Sequence, residues 1–157
     1  MINLIKSQSA IEYLMTYGWA LLIIAIALAT LTAFGLFNQG NFVSSSCSLP
    51  NGLSCKSAVL SSNGMLTINI GQDTASAITI TAVSCNSNQT AYGGISVSKQ
   101  IGINGNSTFT PFCYSGNSQF TGKIGQVYHG FIIVNYTSQS SSISQTAIGT
   151  IITRVQD

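Results

Sequence analysis

One uncharged apolar stretch near the N-terminus constrains this chain more than any other feature. Residues Tyr13 to Phe37 are predominantly apolar, and after Glu12 no charged residue occurs until Lys56. An α-helix rises about 1.5 Å per residue, so a helix over this stretch is long enough to cross a hydrocarbon layer of roughly 30 Å. The sequence therefore predicts a membrane-length helix that is followed by a separate domain.

The residues on either side of this stretch indicate its orientation. No small-residue cleavage pattern of the secretory type follows the apolar residues, so we expect the helix to be retained. Lys6 precedes the stretch, and basic residues favour the cytoplasmic side of a membrane. We therefore expect Met1 in the cytoplasm and the C-terminal domain outside the cell.

The composition of the C-terminal domain excludes several classes of function. It is rich in Ser, Thr, Asn and Gly, and only 5% of the chain's 157 residues are charged, against about a quarter in ordinary soluble proteins. No basic patch is present, so nucleic acid is not an expected partner. Hydroxyl groups, amides or attached sugars must keep such a surface soluble.

Short runs of alternating apolar and polar residues predict the fold of this domain. The runs are rich in Thr, Val, Ile and Tyr and are separated by Asn-Gly and Gly-Gly turns, as in half-buried antiparallel strands. About eight runs indicate an α+β protein in which the long N-terminal α-helix precedes an antiparallel β-sandwich, immunoglobulin-like in layout. The clearest candidates are Met65–Ile70, Ala77–Ala82, Ile95–Ser98, Ile101–Ile103, Phe120–Ile124, Val127–Tyr136 and Ala147–Val155. The continuous run Phe131–Val134 predicts a central strand that is buried on both faces.

Four cysteines lie beyond the helix, which favours two disulfides on the exported side of a membrane. Three pairings are possible, and we favour Cys47–Cys55, which closes a small loop, together with Cys85–Cys113, which joins distant strands. A zinc site is the alternative, but the chain has no CxxC pair, and its one histidine, His129, is distant in sequence. No metal or cofactor is expected.

The first residues resemble a known family. The segment Lys6-Ser7-Gln8-Ser9-Ala10-Ile11-Glu12-Tyr13-Leu14 is similar to the class III signal peptide of type IV pilins, in the form common among archaeal pilin-like proteins. The resemblance implies that a prepilin peptidase cuts between Ser7 and Gln8, which makes Glu12 the fifth residue of the mature chain. It departs from the family at Ser7, where glycine or alanine is usual. It covers about the first forty residues, and the C-terminal domain carries no motif of the family.

This resemblance divides the chain into a leader peptide at residues 1–7, a transmembrane and filament-core helix at 8–38, and an extracellular domain at 39–157. It implies that the chain forms a homopolymer through its helix. It also implies a pilus assembly ATPase and a membrane platform protein as partners. Glu12 has two interpretations: it interacts with the helix dipole at the first turn, or it pairs with the new amino group of a neighbouring subunit during assembly.

Three Asn-x-Ser/Thr triplets, at Asn88, Asn106 and Asn135, are candidate glycosylation sites. Asn88 and Asn106 lie in turn-like stretches, whereas Asn135 ends a predicted strand. Beyond the helix the chain has two aspartates, no glutamate and one histidine, and it lacks nucleophile and phosphate-binding motifs. The sequence therefore does not predict an enzyme.

The expected function is that of a structural subunit, a pilin, in an archaeal type IV pilus-like filament on the cell surface that mediates adhesion. Before assembly the chain would be inserted in the cytoplasmic membrane. One alternative is a single-span membrane-anchored protein that displays a β-sandwich binding domain and never polymerises. A minor pilin or an archaellin-like motility subunit shares the leader and is a further alternative.

Overall fold

The computed structural model describes residues 3–35 and 44–157. The chain divides into two compact units between Phe42 and Val43. The N-terminal unit contains one α-helix, and the C-terminal unit, called the head below, contains ten β-strands. An apolar helix followed by a large, mostly β domain agrees with the predicted α+β class.

The helix, α1, spans Asn3–Ala33 and is 31 residues long. Leu, Ala and Ile favour this conformation along most of its length. Gly35 lies just beyond its end with a φ of 68°, the left-handed conformation that commonly follows a helix C-terminus and that glycine adopts without strain. The described helix ends at Ala33, and the predicted boundary at residue 38 lies outside the described part of the chain.

Ten strands make up the described part of the head. They are β1 Ser46–Ser48, β2 Leu53–Ser61, β3 Leu66–Gln72, β4 Ile78–Asn86, β5 Ile95–Ile101, β6 Asn106–Phe109, β7 Cys113–Ser115, β8 Ser118–Gln119, β9 Val127–Ser138 and β10 Ser144–Gln156. The two longest, β9 and β10, pair antiparallel over eleven residue pairs and form the centre of the domain.

The strands form one hydrogen-bonded network in the order β6-β3-β2-β10-β9-β4-β7-β8, with β1 also beside β10 and β5 also beside β4. Strand β10 joins the group β6-β3-β2 to the other strands of this network. It pairs with β1 from Thr150 to Ile152 and with β2 only at Val155 and Gln156. Most pairs are antiparallel, but β10 with β2 and β4 with β7 are parallel. The head is therefore not a purely antiparallel domain.

Large aliphatic side chains fill the interior of the head. The fully buried set comes mainly from β2, β3, β4, β9 and β10 and includes Leu60, Leu66, Ile68, Ile70, Ile78, Ile80, Val83, Ile132, Val134, Ile151 and Val155. Strand β9 lies between β4 and β10, and Ile132, Ile133 and Val134 are all buried. The prediction of a central strand buried on both faces is confirmed.

Two of the strand predictions are wrong. Phe120–Ile124 is not a strand: Gly122 lies against the Phe120 ring, and the chain turns at Gly125 with a φ of 85°. The runs Ile95–Ser98 and Ile101–Ile103 are not separate, because the first continues through Lys99 and Gln100 to Ile101 as β5, and Ile103 lies in the turn that follows.

Candidate functional site

The surface of α1 is the first candidate site. Beyond Glu12 its described residues carry no charge, and bulky side chains such as Met15 and Trp19 are mostly exposed. The hydroxyl groups of Thr16, Thr30 and Thr32 donate to helix carbonyls three or four residues earlier, at 2.7–2.8 Å. Since these polar groups have partners within the helix, the helix surface is suited to lipid or to other apolar helices.

This helix is also long and apolar enough to cross a membrane, and it is the one such helix in the described chain. Gly18 leaves open space around its backbone, since a Cβ placed there would meet nothing within 4 Å. Tyr13 and Tyr17 stack on one face with their ring centroids 4.6 Å apart. The helix therefore presents bulky and small positions side by side.

The predicted processing residues lie in the first turns of α1. Lys6, Ser7 and Gln8 all have helical backbone, and their side chains lie outside what the structure describes. Glu12 is exposed, and its backbone carbonyl accepts a hydrogen bond from the Thr16 hydroxyl. The Glu12 carboxylate is thus exposed on a helix that carries no further charge after this residue.

The four cysteines form the two favoured disulfides. Cys47 on β1 bonds to Cys55 on β2, and Cys85 on β4 bonds to Cys113 on β7. The zinc alternative is thereby excluded for these residues, because disulfide sulfurs do not ligate zinc as thiolates. Two disulfides are typical of a protein that folds in an oxidising, extracellular environment.

The two disulfides have very different surroundings. Cys85 and Cys113 are fully buried, and Cys85 Sγ lies 3.8 Å from the hydroxyl of Tyr128, which donates to the carbonyl of Tyr114. Burial raises the pKa of the Tyr128 phenol. The Cys47–Cys55 disulfide is only partly buried and lies beside solvent.

A cleft of about 240 Å³ opens next to Cys47 and Cys55 where β10 leaves β1 and joins β2. Its lining combines polar and apolar groups in similar amounts: Ser45, Ser46, Lys56, Ser57 and Thr153 accompany the disulfide, Ala58 and Ile152. The sequence did not predict this cleft. Its one local signal is the polar run Ser54–Ser57 around Cys55, which interrupts the alternation of a strand.

The three candidate glycosylation sites differ in accessibility. Asn88 is exposed on the β4–β5 loop, and its Oδ1 accepts a 2.6 Å hydrogen bond from the Thr90 hydroxyl. Asn106 is exposed on β6, and its amide donates to Asn69. Asn135 is half-buried in the middle of β9, where it accepts a hydrogen bond from Thr146. Asn88 and Asn106 are therefore exposed to solvent, whereas Asn135 is half-buried.

The titratable residues of the head are dispersed. His129 is exposed at a shallow cleft with Phe131 and Ile152, and no carboxylate lines that cleft. Within residues 3–35 and 44–157, no three His, Cys, Asp or Glu side chains come together as a metal site would require.

Comparison with known proteins identifies no family: no family model matches the chain, and no curated protein matches it significantly.

Proposed function

We propose that this chain is a pilin, a structural subunit that polymerises through α1 into an archaeal type IV pilus-like filament. The observation that carries the proposal is the segment Lys6–Leu14, which places a cleavable bond and a single glutamate near the start of a 31-residue helix that carries no charge after Glu12. A simple membrane anchor needs the apolar helix but not this segment in register with it.

The apolar surface of α1 favours its transfer from contact with lipid to contact with other copies of α1. Inside a bilayer, helices gain little from apolar burial against one another, because lipid tails are as apolar as leucine, so association depends on close packing. Small residues at Ala20, Ala25, Ala27, Ala29 and Ala33 permit that packing. Once the helix leaves the membrane, its apolar side chains must be buried against copies of themselves, at about 25 cal/mol per Å² of apolar surface.

Glu12 would guide this assembly. A carboxylate that enters an apolar layer is costly unless it is paired, and cleavage after Ser7 creates an α-amino group on Gln8. The amino group of one subunit would pair with the Glu12 carboxylate of its neighbour and fix their relative position along the fibre.

The head would form the fibre surface and its adhesive contacts. We propose a sandwich arrangement for its two groups of strands, which meet at β10. Its surface, poor in charge and rich in hydroxyl and amide groups, suits contact with polar surfaces, and glycans at Asn88 and Asn106 would add to its solubility.

Two other functions share some of these features. A single-span membrane protein with a displayed head is favoured by α1 alone, since its length and composition suffice for a membrane span. A minor pilin or archaellin-like motility subunit would share both the leader segment and α1. Visible filaments composed mainly of this chain would separate the proposed function from a membrane anchor and from a minor pilin. Cells that bear these filaments and adhere but do not swim by them would separate it from a motility subunit.

Substitutions at Ser7 and Glu12 in the native cells test the proposal. Ser7→Gly should preserve cleavage and filaments, whereas Ser7→Leu should leave the leader attached and abolish filaments, because the peptidase requires a small residue there. Glu12→Gln keeps the side-chain size and should allow cleavage. It should reduce filament number by at least about tenfold, because a loss of about 1.4 kcal/mol of pairing free energy lowers the association constant of a subunit tenfold. Normal filaments from Ser7→Leu would contradict the proposal.

A further inference from the structure

The head receives the chain through a weakly held element. Its first strand, β1, has three residues, and each pairs with one residue of β10, from Thr150 to Ile152. A force that reaches the head along the polypeptide from α1 enters through Ser44 and then this strand. The outermost hydrogen bonds of β1 would bear such a load first.

Few described contacts hold the chain between β1 and β2. Leu49 is 9% exposed and packs against the backbone of Gly149, where a Cβ would lie 2.7 Å from Leu49 Cδ2. The carbonyl of Gly52 accepts a 2.8 Å hydrogen bond from the Asp73 N–H, and Leu53 is the buried first residue of β2. If β1 and this segment detached, the chain from Ser44 to Leu53 would reach at most about 30 Å, at roughly 3.3–3.6 Å per residue, and the tether would lengthen by less than that.

The Cys47–Cys55 disulfide bypasses this weak section. Cys47 is the middle residue of β1, and Cys55 lies on β2. Strand β2 pairs with β3 through seven residue pairs and with the end of β10 through two more. A force that reaches Cys47 is thus transferred across one covalent bond to a firmly held strand, and residues 48–54 carry none of it.

We propose that the Cys47–Cys55 disulfide is a mechanical clamp that transfers load entering the head from β1 to β2. The clamp requires only that α1 be held while the head is pulled. It therefore applies whether α1 is held in a filament or in a membrane, and it does not depend on the proposed function.

The second disulfide provides an internal comparison. Cys85 and Cys113 are fully buried and directly opposite each other on β4 and β7, remote in sequence from the point where the chain enters the head. The Cys47–Cys55 bond instead lines the cleft beside Ser45 and Lys56, so a soluble dithiol reaches it first. In that reaction the reagent is oxidised to a cyclic disulfide, and Cys47 and Cys55 become thiols.

Single-molecule pulling tests the clamp on the full chain. The protein is reconstituted in a supported bilayer with a C-terminal tag, and an atomic force microscope pulls the tag while α1 remains in the bilayer. Wild type should give no extension step attributable to β1 before the head unfolds. Cys47→Ser/Cys55→Ser should add an early, low-force step of up to about 30 Å, because the stretched chain from Ser44 to Leu53 sets the upper limit.

Two controls make the test decisive. Mild dithiol treatment of wild type, checked by alkylation and mass so that only Cys47 and Cys55 are modified, should add the same step without any substitution, even if the double variant folds poorly. Cys85→Ser/Cys113→Ser should lower the main unfolding force without adding the step. The proposal is overturned if the reduced wild type lacks the early low-force step, or if oxidised wild type already has it. Neither result bears on filament formation, which is absent from this experiment.

Discussion

At the residue scale, the buried tyrosine beside the Cys85–Cys113 disulfide couples head stability to pH. The Tyr128 hydroxyl donates to the Tyr114 carbonyl at 2.8 Å, and burial raises the pKa of its phenol above the ordinary value of 10.0. The neutral phenol is therefore favoured in the folded state. Above pH 10 the unfolded chain releases this proton while the folded chain retains it, so the free energy of unfolding falls as pH rises.

The Tyr128 prediction is tested by denaturant unfolding of the full chain in detergent between pH 7 and 11. In wild type, the contribution of Tyr128 to the free energy of unfolding should be constant up to about pH 10 and should decrease above that pH. Tyr128→Phe should be less stable at pH 7 by about 1 kcal/mol, because it removes one hydrogen bond, but its stability should decline less between pH 10 and 11. Parallel curves for the two proteins would contradict this assignment.

The three glycosylation candidates give a second residue-scale prediction. Protein from its own cells should carry glycans on Asn88 and Asn106, whose side chains are exposed, and none on Asn135, which is half-buried within a central strand. Glycopeptide mass spectrometry measures this directly. Asn88→Gln and Asn106→Gln should each remove one glycan mass, while the matched control Asn135→Gln should remove none. A glycan on Asn135 would show that burial in the folded head does not govern attachment.

At the element scale, alternation predicts the strands whose polar side chains face outward regularly. Strands β3, β4, β9 and β10 were predicted in this way because each carries regularly spaced buried aliphatic residues. Strand β2 was missed because a register shift between Cys55 and Ser57 breaks its alternation. Strands β1, β7 and β8 have two or three residues, too few for a periodic pattern to appear.

The turn between β2 and β3 gives a prediction at this scale. Gly64 has a φ of 84°, and a Cβ there would overlap the Phe120 carbonyl oxygen, whereas Gly116 has a φ of 65° and open space. Gly116→Ala should cost about 1–2 kcal/mol for the left-handed backbone alone. Gly64→Ala should cost at least about 3 kcal/mol, because overpacking against backbone adds to that penalty. Equal losses in thermal or denaturant unfolding would show that the contact with Phe120 relaxes freely.

Gly18 in α1 gives a second element-scale prediction. Nothing lies near its missing side chain in the single chain, so Gly18→Ala should stabilise the isolated helix by about 1 kcal/mol. Circular dichroism of the full chain in detergent measures this effect. If neighbouring helices occupy the open space in a filament, the same substitution should reduce filament number, with Ala20→Gly as the reverse control. Unchanged filaments would show that no neighbour packs closely at Gly18.

At the scale of the whole molecule, the sequence predicted the division into an apolar helix and a β-rich head because the two parts differ so strongly in composition. The favoured disulfide pairing was confirmed, although the spacing of the four cysteines alone leaves three pairings possible. The parallel pairing of β10 with β2 and the cleft beside it were not predicted. Both depend on the point at which β10 stops pairing with β1 and begins to pair with β2. The sequence at Thr153 and Arg154 shows no pattern that marks this point.

The central claim is that a peptidase frees the tip of α1 and that the helix then exchanges lipid for copies of itself. The most direct test is the intact mass and N-terminal sequence of this chain purified from filaments sheared from native cells. We predict filaments built from chains that begin at Gln8. Cells that bear no such filament, and that yield only single, detergent-requiring chains that begin at Met1, would contradict the account.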